Sequence, residues 1–294
     1  PTLLDLAKRL DPDGKIDVIA EILTQENPIL EDLSFVEGNL PTGHRTTIRT
    51  GLPTPTWRKL YGGVQPTKSN TAQVTDSCGM LEAYAEVDKA LADLNGNTAA
   101  FRLSEDRAHI EGMAQELAST IIYGNEGDQP EAFTGLAPRY NSLSAANADN
   151  IVSAGGTGSD NTSIWLVVWG DQTLHGIYPK GSRAGLDMQD KGQVTIENVD
   201  GSGGRMEAYR THYRHDCGLT VRDWRFAARV CNIDVSALTS DGTADDRAAA
   251  QKALINFMVQ ASERIPSLSK GRAVWYVNRT IREQLRLGIL EKIA

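Results

Sequence analysis

The chain has 294 residues, 40% hydrophobic and 23% charged, with a formal net charge of -8. Those proportions are ordinary for a globular protein with real cores and exclude wholesale disorder, and the acidic balance argues against a protein whose main task is to wrap phosphate with Lys and Arg. Cys78, Cys217 and Cys231 are widely spaced with no CxxC, and neither a membrane-length apolar run nor a signal peptide at Pro1 is present; the expectation is a soluble, cytosolically made protein with reduced thiols.

Residues 1 to 40 carry two short helical patterns, Leu3/Leu4/Ala7/Leu10 and Ile16/Ile19/Ile22/Leu23, separated by the turn signal Asp11-Pro12-Asp13-Gly14. Nine acids, among them Glu31, Asp32 and Glu37, stand here against three bases, so the segment reads as an acidic arm too thin to make a core alone. Residues 41 to 75 reverse the sign, with Arg45, Arg49, Arg58, Lys59 and Lys68 and no Asp or Glu. HRTTIRT and SNTAQVT read as two exposed strands joined by a long loop rich in Gly, Pro and Thr. Such a hairpin is marginal alone. It is either a solvated basic loop or an arm that lies on an acidic patch of another subunit.

A short helical pattern over Met80 to Leu94 precedes the longest amphipathic stretch, Ser104 to Gly124. Its stripe is Ile110, Met113, Ala114, Leu117, Ala118, Ile121 and Ile122, with Ser104 as N-cap and Gly124 as a left-handed C-cap. A polar Gly/Ser/Asn-rich connector follows over 141 to 163. Ile164 to Trp169 reads as a fully buried strand, Gly170-Asp171 as a hairpin turn returning through Leu174 to Tyr178, and Gln193 to Val199 as a further strand. Met206 to Arg214 and Leu219 to Ile233 are expected to pair around Asp216-Cys217-Gly218. Thr243 can cap a helix that Pro266 stops; Ala273 to Val277 is a strand, Asn278 a cap, and Thr280 to Leu290 a helix. The ending at Ala294 is abrupt, and the natural chain is expected to continue.

Chemistry is thinly signalled. His212, His215 and Cys217 are close in sequence, but residues 212 and 215 point to opposite faces of a strand, so no metal is expected. The glycine runs at 155 to 158 and 201 to 204 lack the Gly-Lys-Ser/Thr ending of a phosphate loop and read as connectors. GxSxG and HExxH are absent. Arg205, Arg210, Arg214, Arg222, Arg225 and Arg229 form either a salt-bridged sheet face or a subunit contact.

LDPDGK, NPILED, FVEGNLPTGHRTTIRTGLPT, SIWLVVWG, YPKGS and VRDWRFAARVCNID, together with the AVWYVN strand-to-helix step, carry a resemblance over nearly the whole chain. The sequence resembles the major capsid proteins of tailed bacteriophages with the HK97-like fold, and these segments are similar to those of short-tailed phages such as the Bordetella phage group. The resemblance implies an α+β fold: N-terminal arm 1–40, extended loop (E-loop) 41–79, peripheral domain 80–162 with a spine helix at 104–124, a strand-rich region 163–240, and an axial-type helix-strand-helix at 241–294. The strands between spine helix and axial-type segment leave room for an element order unlike the commonest form. It also implies no enzymatic activity and no cofactor, but a virion shell of hexamers and pentamers around double-stranded DNA, assembled in the host cytoplasm with scaffolding and cement or decoration proteins, and no membrane. Arg45, Arg49, Arg58, Lys59 and Lys68 of one copy are expected to meet acidic groups such as Glu31, Asp32 and Glu37 of another. The competing classes are a phage adhesin, which would form small oligomers, and a soluble enzyme.

Overall fold

The computed structural model describes residues 27–94, 96–197, 201–239 and 244–290. The two helical patterns expected before residue 27, and the Thr243 cap, lie outside them. In order, the chain forms α1 (Pro28–Asp32), β1 (Phe35–Glu37), β2 (Gly43–Gly51), β3 (Asn70–Asp88), α2 (Lys89–Asp93), α3 (Thr98–Tyr123) and α4 (Leu136–Arg139). There follow β4 (Ile151–Ser153), β5 (Asn161–Trp169), β6 (Leu174–Tyr178), β7 (Asp187–Glu197), β8 (Arg205–Val221) and β9 (Ala227–Asp234). Helices α5 (Val235–Thr239) and α6 (Ala244–Glu263), strand β10 (Arg272–Tyr276) and α7 (Arg279–Leu290) complete it.

One sheet runs β2-β3-β8-β6-β5-β9-β4, with β1 added to β6, β10 to β5 and β7 to β8. The expected buried strand is there: Ile164, Val167 and Val168 expose nothing, because β9 and β10 occupy both edges of β5 and side chains cover both faces. Leu254 and Ala261 of α6 and Ile281 of α7 close this core. Asn278 caps α7 through Thr280 N, as its side chain suggested.

Two long strands tie the core to the rest, and neither was expected at that length. Met80 to Leu94 is not a helix: β3 runs 19 residues to Asp88, and only Lys89–Asp93 turns helical. The segment is rich in the helix formers Ala, Glu and Leu, yet its residues alternate strictly. Leu81, Ala83, Ala85 and Val87 face α3, while Met80, Glu82, Tyr84 and Glu86 face away. Likewise β8 does not turn at Asp216-Cys217-Gly218. It continues to Val221, with Asp216 held by Arg214 and Gly218 paired to both Cys78 and Ile177. The break comes later, where Asp223 accepts the Arg225 amide and folds Trp224–Phe226 into a 3-10 turn, so β9 joins β5 and β4 instead of β8.

The turn after β5 is also not a two-residue hairpin. Thr173 donates its hydroxyl to Val168 O at 2.6 Å and its amide to Gly170 O, which swings β6 away to pair with β8 and, in parallel, with β1. The long helix α3 starts six residues before Ser104, capped by Asn97, whose Oδ1 accepts Ala100 N. Its buried residues are Phe101, Met113, Leu117 and Ile121; Ile110, expected in the stripe, is exposed. Gly124 is not left-handed either, with φ -51. Glycine is needed there for another reason: a Cβ would lie 2.5 Å from Phe133 O. No described helix is long and apolar enough to cross a membrane.

Candidate subunit-contact surface

Strands β2 and β3 leave the body as a hairpin, paired from Gly43↔Ser77 to Gly51↔Asn70. Beyond it, residues 52–69 run without strand or helix, and almost every one is exposed. The end is a turn closed by Gly62 N to Lys59 O, with Tyr61 at φ 60, a backbone region that bulky residues seldom occupy. Trp57 and Tyr61 are wholly exposed, at 103% and 106%, and Leu52, Leu60 and Val64 accompany them. A soluble surface does not spend large aromatics this way unless something covers them. Sequence reading weighed only the charges here and missed the apolar residues, although two aromatics inside a Gly/Pro/Thr loop that cannot make a core are a signal.

The five bases sit at different heights on this hairpin. Arg45 is near the root, where its Nε donates to Thr75 Oγ1 and its backbone is bracketed by Asn39; Arg49 is midway; Arg58 and Lys59 are at the tip and Lys68 just beyond it. The acidic residues divide. Glu31 is exposed, and Glu37 accepts the Gly181 amide at 2.9 Å. Asp32 is not on the surface at all. It is buried, bonded to Arg272 at 2.6 Å and to the Tyr276 hydroxyl at 2.7 Å, which in turn accepts Trp169 Nε1. Burial and the adjacent Asp32 push the Tyr276 phenol far above its usual range. Asp32 therefore locks α1 to β10, and cannot serve a neighbour.

The hairpin root is a buried polar network that no sequence motif announces. Asp76, 3% exposed, accepts from Arg139 Nη1 at 2.8 Å and from Thr220 Oγ1 at 2.5 Å; Arg139 also donates to Thr134 O and Leu219 O. His44 and His175 meet edge to face beside it, with ring centroids 6.2 Å apart, and their Nδ1 atoms have no partner among the described residues. Burial, then Arg222, lowers the pKa of both below the ordinary 6.5; the Gly170 backbone and Asp171 oppose this at His175 and Asp76 opposes it at His44. Burial likewise lowers His215, against Asp216. The unfolded chain thus binds protons that the folded chain refuses, so stability falls as pH drops through 6.5 and goes on falling until the lowered folded values are passed. The slope is about 1.4 kcal/mol per pH unit for each fully buried histidine in that window. Urea midpoints of dissociated subunits are expected to decline between pH 7 and 5, and His175→Gln to flatten the decline. The ion-paired Asp190 and Asp223 have lowered values, so they contribute only below the ordinary carboxylate range and do not confuse the test.

The arginines of the strand-rich region are taken up within the chain. Arg205 pairs with Glu197, Arg210 with Glu86, Arg214 with Asp216 and Arg225 with Asp223, while Arg222 and Arg229 donate to the carbonyls of Asp171 and Tyr140. His212 stacks on Tyr84 on one face of β8, and His215 packs edge-on against Phe35 on the other, as the strand period requires. Burial pushes the Cys78 thiol up to about 11 and the Cys217 thiol up to about 12, so neither is a nucleophile near neutral pH.

The chain thus combines a projecting hairpin with an apolar tip, a 26-residue helix and a single sheet whose strands make up the main core. Residues 11–294 match the sequence profile of the family Major capsid protein GP7. The chain belongs to that family. A chain in the cryo-EM structure of bacteriophage Epsilon15 is 41% identical, with a TM-score of 0.76 over 98% of this chain and 85% of its own. The capsid of the native GTA particle shares the fold at 11% identity, with a TM-score of 0.50 over 76% of this chain and 95% of its own. No curated protein matches the sequence. This major capsid protein is thus a structural component of a phage virion with the HK97-like fold, not an enzyme, and it assembles with itself into a shell of capsomers. Thr98–Tyr123 is the longest helix among the described residues, and residues 43–77 are the projecting hairpin.

Proposed function

We propose that this capsid protein closes its shell by laying the loop tip, residues 52–69, across a neighbouring copy, with Arg58 and Lys59 set against acidic groups there. The observation that carries this is the pair of fully exposed aromatics, Trp57 and Tyr61, held out on a paired hairpin where their own core cannot reach them. Each such contact is modest, but every subunit both gives and receives one, and the sum over a closed lattice is large. Hexamers and pentamers on an icosahedral lattice are the closed arrangement this supports. The peripheral region is residues 80–162, and residues 163–240 and 241–294 form the strand-rich and axial-type parts.

Scaffolding protein during assembly, cement or decoration proteins on the finished particle, and assembly in the host cytoplasm complete the reading. Double-stranded DNA is the content. A wall of net charge -8 per subunit repels phosphate and lets the packed duplex move past it. Cryo-EM of purified particles tests the proposal: hexameric and pentameric capsomers are expected, with density for 52–69 on an adjacent subunit. Small open oligomers, or a tip packed on its own subunit, would overturn it.

A further inference from the structure

Strand β2 is an edge of the sheet, paired with β3 alone, and it touches the body through β6. His44 of β2 meets His175 of β6 there, edge to face. The register sets both on one face, since His44 pairs with Asp76, His175 pairs with Thr220, and Asp76 accepts the Thr220 hydroxyl. His175 is 1% exposed. Its bond to the Gly170 backbone engages one ring nitrogen, and Nδ1, the atom left to take a second proton, has no partner among the described residues. The Nδ1 of His44 and the hydroxyl of Thr46, two residues further along the same face, are buried and equally unpartnered among them.

We infer that His44 and His175 form a proton-operated latch at the hairpin root: neutral, the two rings seat β2 on β6, and once protonated they drive β2 off and free the hairpin. The charges around the pair set the direction. Arg222 lies near both rings, so protonation places two more positive charges beside one already there. On the negative side, Asp76 of β3 faces His44, and Asp171 of the turn between β5 and β6 faces His175. Asp76 cannot neutralise the pair, because its two oxygens already hold Arg139 and Thr220, and Asp171 draws Arg222 in with its own carbonyl. Buried cations without an acceptor do not stay buried. The strand that yields is β2. Strand β6 is held on both edges, by β8 and β1, whereas β2 borders an open cleft of about 800 Å³ lined by Thr46, Ile48, Gln172 and Trp224. The hairpin therefore loosens while β3 stays bonded to β8 from Cys78 onward. The latch belongs to the single subunit, whatever the loop tip touches.

Hydrogen–deuterium exchange of the whole chain as dissociated subunits, corrected for intrinsic chemical exchange, tests the latch. A histidine that refuses a proton when closed and accepts one normally when open favours opening by about tenfold per pH unit below 6.5. Protection of 43–51 and 70–77 is thus expected to fall by at least about tenfold from pH 7 to pH 5, while 164–169 keeps its protection. His44→Gln together with His175→Gln should hold the hairpin closed at pH 5. His215→Gln, which removes the histidine packed on Phe35 across the sheet, should leave the release intact. Where the double variant does not fold at pH 7, His44→Gln alone, at a partly exposed position, is expected to about halve the slope of release against pH. Equal hairpin protection at the two pH values, equal loss in 164–169, full release without His44 and His175, an unchanged slope in His44→Gln, or release abolished by His215→Gln would each overturn the latch.

Discussion

Subunits carrying Arg58→Glu and Lys59→Glu together are expected to fold with wild-type circular dichroism and melting behaviour and to form no closed shells. Both side chains are exposed at the loop tip, where substitution in the monomer costs within about 0.5 kcal/mol. In the assembled particle the reversal puts like charges opposite each other at every copy of the contact, and each juxtaposition costs on the order of several kcal/mol. Repetition turns a moderate local penalty into loss of the lattice. The measurement is the fraction of protein sedimenting as particles, and raising the salt concentration should recover part of it, since partly exposed charges are screened. Normal particles from this double mutant would discard the tip as an electrostatic contact.

Asp76→Ala is expected to be the most damaging single change inside the subunit. Asp76 is the one acidic partner Arg139 has among the described ion pairs, and Arg139 is itself largely buried, with 20% of its side chain exposed. Removing the carboxylate leaves that charge uncompensated and Thr220 without its acceptor, a loss of about 3–5 kcal/mol. Against a total of about 5–15 kcal/mol this is severe, and the melting temperature should drop by roughly 10 °C. Asp76→Leu combined with Arg139→Met should be milder than Asp76→Ala alone, because two apolar groups leave no orphan charge. If the double variant is the worse of the two, the network is not what holds the hairpin root. Because Asp76 sits where β3 passes from hairpin to body, Asp76→Ala should also lower particle yield under conditions where the subunit stays folded.

The sequence was most legible where one physical signal stood alone. Ile164 to Trp169 has no polar residue to offer solvent, and its burial follows. The two hairpin strands, the helix before Pro266 and the Asn278-capped helix were equally clear, each with its pattern and stop signal. Met80 to Asp88 was misread because helix-forming composition and strand alternation coexist there, and the long strand β8 decided between them. The unbroken course of β8 through Gly218 depends on Cys78 and Ile177, residues far away in sequence, and nothing local reports them. The basic residues of the hairpin stood out in the sequence by their contrast with the acidic arm. The apolar tip did not, since its polar loop masked it. Asp32 shows the limit of charge counting, for a carboxylate in an acidic run turned out to be a buried internal tie.

The uninterrupted backbone of β3 has a mechanical meaning. In a shell of capsomers, tension reaches a subunit through whatever its neighbours grip. A pull on the loop is passed straight along β3 from Asn70 to Asp88, where the strand is bonded sideways to β8 from Cys78 onward. Those bonds are loaded in shear, all bearing the force together, instead of being peeled one at a time. The hairpin is in this sense less an arm than the free end of a tendon, anchored where β3 lies beside the helix Thr98–Tyr123.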